Sequence, residues 1–573
     1  MNHIPALPGE KEERMRKKGT WSSLALAAVC AVLPLAGCSE GDGGKGGNGD
    51  DLPGNAVIAS EIRRNADGTE TFLVGGEPFL YLGAESRFEA YVNCDRASYE
   101  DYEKYVKAAA DLGFNVLAVS VDWADIESEK DVYDFTVINR ILGYALEYDI
   151  KIELLWYSAL MCGDSHEWHL PDYIFEETPR YQMYVGGVEA TSIENSTIYG
   201  ERTFLRIDDE TFMKRESKVV EALMSHIYAW EEARNFPKVL IGVQVYNETD
   251  AFPEVRLDAY DVSLNGQKLT KDEAWETVCT AMENCAKAFK SSPYQVITRT
   301  NLLRPACADL SSPGPSSIDR AQQLYTLESL DAVGFDPYFN NLTDLKTSIL
   351  YYQEHLPQNF THIAENGRTG TTGEGTYVNG DGEILLSISL NCGYILYELA
   401  SPKAFDEGGY SQGIIDAYTL EDYSYTQAIR NMCFALKAVS PIAASVHPSD
   451  FAAFNVDSST GRETWNKTVN TTSVSFSFMT TKGAKGFAIV QDGYAYVYAS
   501  GEAMLTLGNG TFGQAEKGSF ADGVWTAADT RALENNTILL SGDGVWRIPI
   551  LSTESALQSN ARGILWAYSD SAF

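Results

Sequence analysis

Residues 238–248 read KVLIGVQVYNE, an almost unbroken apolar run from Val239 to Val245 that ends in Tyr246-Asn247-Glu248. A strand with one face in water alternates apolar and polar residues, whereas a strand covered on both faces does not. The run therefore predicts a strand of a parallel sheet at 238–245, with helices as its cover. Helical patterns stand on both sides of it, at 211–234 and in KDEAWETVCTAMENCAKAF at 271–289. Outward from there the same alternation repeats. Apolar runs predict strands at 78–84, 115–121, 151–157, 294–300, 330–338, 360–365 and 393–399, each followed by a helical pattern. Eight such units argue for an α/β fold, a closed (β/α)8 TIM barrel over 56–442 rather than an open sheet. After Pro441 the pattern changes to SVSFSF, GFAIVQDGYAYVYAS and TILLSGDGVWRI, alternating strands joined by Gly and Asn turns. These predict a C-terminal all-β, sandwich-like domain at 443–573, which either packs on the barrel or binds carbohydrate.

The N-terminus reads as an export signal. Met15-Arg16-Lys17-Lys18 is a basic start, and the apolar run Trp21–Leu35 ends in Leu35-Ala36-Gly37-Cys38. The run is too short for a good bilayer span. The L-A-G-C ending resembles a bacterial lipobox, which implies acylation of Cys38 and a lipid anchor in the membrane. Residues 1–38 are then the lipoprotein signal, with Met15 the better initiator. The Gly- and Asp-rich residues 39–55 are a flexible tether. The expected location is extracytoplasmic, at the outer membrane or surface of a Gram-negative cell.

Of the nine cysteines in the 573 residues, seven remain beyond Cys38 (Cys94, Cys162, Cys279, Cys285, Cys307, Cys392, Cys433), and no CxxC pair occurs. Neither a zinc site nor a disulfide framework is expected. A formal charge of −36 excludes nucleic acid as a partner, because phosphates are repelled, but is compatible with a neutral sugar. No cofactor is expected, and oligomeric state is left open.

Function in a barrel of this type sits at the C-terminal ends of its strands. Three carboxylates fall there: Glu248 in VQVYNETD, Glu365 in THIAENG and Glu398 in ILYELASP. Strand ends four and seven face each other across the barrel mouth, so Glu248 and Glu365 can flank one bond. Glycoside hydrolysis needs such a pair, one to protonate the departing oxygen and one to attack the anomeric carbon or activate water. His166 and His169 in HEWH have no partner cluster that would make them metal ligands.

The segment VQVYNE resembles the fourth-strand signature of clan A glycoside hydrolases. VLAVSVDWADIESEKDVYDF (116–135) with KIELLWY is similar to the β-galactosidases of glycoside hydrolase families 35 and 42, as are AVGFDPY and IAENG. The likeness covers most of 70–440. It departs where Glu127-Ser128-Glu129-Lys130 stands and in SALMCGDSHEWHLPDY (158–173). The resemblance implies a retaining enzyme on β-linked sugars, with Glu248 as acid/base and Glu365 as nucleophile. It implies that Asn247 binds the sugar 2-hydroxyl and that Tyr338 points its hydroxyl at Glu365. Trp123, Trp156 and Arg87 are candidates for sugar stacking and hydroxyl recognition, and Glu398 for a hydroxyl contact. Core packing for Trp156 and a salt-bridged strand end for Glu398 stand beside those roles. The expected activity is that of an exo-acting β-galactosidase. The alternatives are an endo-acting mannanase or glucanase and a non-catalytic glycan-binding lipoprotein.

Overall fold

A computed structural model of the protein describes residues 56–93, 98–194, 201–303, 318–338, 341–367, 380–401, 413–455, 461–469, 472–480 and 483–553. The expected signal, Cys38 and the tether lie outside the described residues, as do Cys94 and Cys307.

Eight parallel strands close into a barrel: β1 (Leu82–Ser86), β2 (Val116–Ser120), β3 (Lys151–Met161), β4 (Leu240–Asn247), β5 (Ile297–Leu303), β6 (Ala332–Asp336), β7 (His362–Asn366) and β8 (Gly393–Leu396). Each neighbours the next, and β8 pairs with β1. A helix follows each strand: α1 (Tyr102–Asp111), α2 (Thr136–Glu147), α3 (Glu210–Glu232), α4 (Lys271–Lys290), α5 (Ile318–Leu324), α6 (Leu342–His355), α7 (Gly380–Ser389) and α8 (Thr426–Ala438). This is the TIM barrel that the alternation predicts. Residues of β2, β4, β6 and β7 are buried along their whole length, as unbroken apolar runs require.

Helix phase follows from spacing. In α1 the buried residues are Tyr102, Tyr105, Val106 and Ala109, one stripe of a 3.6-residue period. Helix α4 begins at a capping box: Glu273 N–H donates to Thr270 Oγ1 at 3.2 Å, and Thr270 N–H donates to Glu273 Oε2 at 2.8 Å. Two strand limits differ from expectation. The first barrel strand starts at Leu82 because Glu77–Pro78 instead pairs with Glu70–Val74 in a three-stranded antiparallel sheet. The eighth stops at Leu396, one residue before the last bond to its neighbour, from Tyr397 N–H to the Asn366 carbonyl of β7 at 3.2 Å.

Beyond α8 lie two antiparallel sheets. One contains Phe451–Asn455, Lys485–Gln491, Tyr494–Ala499, Val545–Thr553, Ala515–Ala521 and Val524–Arg531 in that order; the other contains Gly461–Val469, Thr472–Thr480, Ala503–Gly508 and Thr537–Leu540. Phe476, Phe478, Leu505, Leu507, Ile538, Val497 and Trp546 fill the space between them. The opposite face of the first sheet (Phe451, Phe487, Ile489, Tyr496, Tyr498) belongs to the same apolar cluster as the barrel's outer layer. The sandwich packs on the barrel, which is the first of its two expected roles.

Candidate active site

The end of β4 is built to turn Glu248 inward. Its ladder with β3 shifts register between Val245 and Asn247, a bulge of the kind that re-aims side chains. Tyr246 (φ 60°) and Glu248 (φ 44°) both adopt the left-handed region, which is strained for residues with a Cβ. A buried carboxylate on α3 holds this conformation. Glu216 accepts from Tyr246 Oη at 2.8 Å, from Ser158 Oγ at 2.8 Å and from Trp156 Nε1 at 3.2 Å. Glu248 itself is buried. Its N–H donates to Asn301 Oδ1 at 3.2 Å, and the Cys162 thiol donates to its Oε2 at 3.1 Å.

Glu365, on β7, takes different partners. The Tyr338 hydroxyl donates to its Oε2, and Asn301 Nδ2 donates to its Oε1 at 3.2 Å. Tyr338 (φ 47°) stands just past β6, its ring edge-on to Tyr397 at 6.1 Å. A third carboxylate, Asp336, ends β6. Oxygens of Glu248, Asp336 and Glu365 lie within 4.8 Å of one another, and among the described residues this is the one such trio close enough to share a cation.

The two glutamates have unequal electrostatics. Burial pushes the Glu248 carboxyl up to about 8, with the Glu365 charge adding to it. Burial also raises Glu365. Against that act the Tyr338 hydrogen bond, the charges of Arg87 and Arg299, and the Asn301 hydrogen bond. The hydrogen bonds and positive charges around Glu365 favour its ionised form relative to that of Glu248. Such a pair can give a proton from one side while offering a nucleophile from the other.

Other expected residues divide. Asn247 is next to the pair; its Oδ1 accepts from Asn301 Nδ2 (2.8 Å) and Gln244 Nε2 (3.0 Å), and its Nδ2 donates to Cys162 Sγ at 3.8 Å. Arg87 is buried; its Nε donates to Glu89 Oε1 at 2.6 Å, and its guanidinium lies over the Tyr157 ring at 5.4 Å. Trp123 is a correction, and Trp156 takes the core-packing role that stood beside sugar stacking. Both are wholly buried, they stack on each other at 6.4 Å, and Trp123 Nε1 donates to Glu127 Oε2 at 2.9 Å. An indole enclosed by protein offers no face to a sugar. Glu398 is buried just past β8, and the Tyr105 phenol of α1 is raised first by burial and then by the Glu398 charge. His169 Nδ1 meets Asp122 Oδ1 at 2.5 Å, and His166 Nε2 lies 3.2 Å from Asp164 Oδ1, so both rings are engaged in the wall.

Asn301, Asp336, Cys162 and Glu216 belong to the site, and the sequence reading missed all four. A position signal did exist for two of them. Asn301 lies near the end of β5 and Asp336 at the end of β6, where polar residues interrupt apolar runs.

A family described as "Domain of unknown function (DUF4978)" matches residues 277–460. No curated protein matches the chain. Among solved structures, an exo-β-1,4-mannosidase from Opitutaceae bacterium strain TAV5 is similar at 15% identity and TM-score 0.41, over 67% of this chain and 62% of the mannosidase. A family 1 β-glucosidase from Thermotoga maritima is similar at 12% identity and TM-score 0.40, over 64% of this chain and 98% of the other. A cold-adapted β-galactosidase from Rahnella sp. R3 is similar at 13% identity and TM-score 0.43, over 64% of this chain and 57% of that one. The likeness is one of chain path, and the reading of the site rests on its own geometry.

Proposed function

We propose that this protein is a retaining glycoside hydrolase acting on β-linked sugars, with Glu365 as nucleophile and Glu248 as acid/base. The observation that supports this is the buried glutamate pair at the ends of β4 and β7, with oxygens within 4.8 Å and only Glu365 held by Tyr338. Retaining enzymes keep their carboxyl groups about 5–5.5 Å apart, whereas inverting ones leave room for a water at about 6.5–9.5 Å. In the first step a Glu365 oxygen bonds to the anomeric carbon, the bond to the departing oxygen breaks, and the Glu248 proton moves to that oxygen. In the second, Glu248 takes a proton from water, the water oxygen bonds to the anomeric carbon, and Glu365 leaves as a carboxylate.

The resemblance to families 35 and 42 favours an exo-acting β-galactosidase. The lipobox-like Cys38 favours a lipid-anchored enzyme on the outside of a Gram-negative cell. The test is NMR of the first-formed sugar from an aryl β-glycoside, in a screen that begins with the galactoside. A β-anomer appearing first is expected, and an α-anomer overturns the assignment of Glu365 as nucleophile.

A further inference from the structure

Asn301, wholly buried near the end of β5, touches more of the active site than either glutamate does. Its Oδ1 accepts the Glu248 backbone N–H at 3.2 Å. Its Nδ2 donates to Asp336 Oδ2 at 2.7 Å, Asn247 Oδ1 at 2.8 Å and Glu365 Oε1 at 3.2 Å. An amide nitrogen carries two hydrogens, so three acceptors compete for them. The two shorter contacts, to Asp336 and Asn247, fix the amide plane, and the longer one leans on Glu365. The oxygen end fixes the orientation of the amide: a backbone N–H demands an acceptor there, and a flipped amide would set donor against donor at Glu248.

Asp336 adds a further point. It is fully buried at the tip of β6, and Asn301 is the one hydrogen-bond donor it has among the described residues; its Oδ1 has none. Burying a carboxyl group is costly unless it is paired. Nothing in the two-glutamate reaction uses this one directly. Its single tie leads to the amide that joins the acid/base strand to the nucleophile.

We propose that Asp336 and Asn301 form a positioning pair. Asp336 orients the Asn301 amide, and that amide holds the Glu248 backbone and the Glu365 carboxylate in one frame while bond and proton move between them. The inference rests on the glycosidase reading. Neither residue is assigned a contact with substrate, so the pair acts on turnover and leaves substrate binding alone. Misplacing a reacting group by about 1 Å can cost on the order of 100-fold in rate.

The experiment measures kcat and KM of Asp336→Asn, Asp336→Ala, Asn301→Ala and the Asn301→Ala/Asp336→Ala double variant on the aryl β-glycoside that the wild type hydrolyses best. Thermal melts confirm folding. Each alanine variant is expected to lose about 10- to 100-fold in kcat with KM within about twofold. The double variant is expected to fall no further than the worse single one, because the two act as a unit. Asp336→Asn keeps an acceptor for Asn301 and should retain kcat within about threefold of the wild type. Should Asp336→Ala not fold, Asp336→Leu, which removes the acceptor and keeps the bulk, takes its place. Losses that multiply in the double variant overturn the proposal. So does an Asp336→Asn enzyme as slow as the alanine variant, since the carboxyl would then act by its proton or charge. A wild-type protein that hydrolyses no β-glycoside overturns the glycosidase reading instead.

Discussion

Glu248 is where the chemistry and the stability of the protein meet. Burial comes first in raising its carboxyl to about 8, ahead of the Glu365 charge, while the Cys162 hydrogen bond works the other way. In its proposed role as general acid Glu248 must hold its proton, so kcat/KM should fall as pH rises through about 8. Stability follows the same proton. The folded chain keeps it up to about 8, whereas the unfolded chain releases it near the ordinary value of 4.5. The stabilising contribution is therefore complete below 4.5 and lost as pH rises through 8. Glu248→Gln removes the cost of ionising a buried group. Its Tm advantage over the wild type should widen between about pH 5 and pH 9, and a constant difference counts against the buried acid. Both glutamates were legible in the sequence because each follows an apolar strand run. Asn301 and Asp336 carried a similar positional signal, but their partners are set only where three strand ends converge. Trp123 misled for a related reason: an aromatic just past a strand end reads the same whether sugar or protein covers it.

On the scale of elements, the active site is held from behind by α3. Glu216 stands in KRESKVV, where neighbouring charges make it read as a solvated helix residue, yet it is wholly buried. Its three donors come from β3 (Trp156, Ser158) and from Tyr246, whose left-handed backbone sets the direction of Asn247 and Glu248. Glu216→Leu leaves those donors unpaired, at a cost of about 1–3 kcal/mol for each buried group that stays unsatisfied. A clear drop in Tm is expected, together with a fall in kcat, and a smaller drop for Glu216→Gln. A leucine variant that melts with the wild type would show that the network holds nothing. Strand order and helix phase were readable because they depend on local periodicity. Strand ends were not: whether Glu77–Pro78 joins the barrel or the small sheet is decided by pairing, which an apolar run does not encode.

Across the whole molecule, one face of the sandwich shares an apolar cluster with the barrel's outer layer, while the space between its two sheets holds a separate core. Phe451, Phe487, Tyr496 and Trp525 cluster with the outer residues of α7 and α8, and Lys485 Nζ meets Asp381 Oδ1 at 2.9 Å, both nearly enclosed. Breaking one partner of a buried pair typically costs about 3–5 kcal/mol, because the other charge is stranded. Lys485→Ala should therefore lower Tm sharply, and the Lys485→Met/Asp381→Leu double variant should recover most of the loss. Equal melting of Lys485→Ala and wild type would mean that the pair contributes nothing. The sandwich itself was legible from its alternating strands, but its packing face was not. Inward and outward positions of a two-sided sheet carry the same pattern.

As the proposed nucleophile, Glu365 forms a covalent bond to the sugar. Incubation with a 2-deoxy-2-fluoro-β-glycoside that carries a good leaving group slows release of the intermediate, so the ester accumulates. Peptide mass spectrometry then locates it. One sugar per chain is expected, on the peptide that contains Glu365. A label on Glu248 or Asp336, or none on a protein that still turns over the unfluorinated substrate, would contradict it.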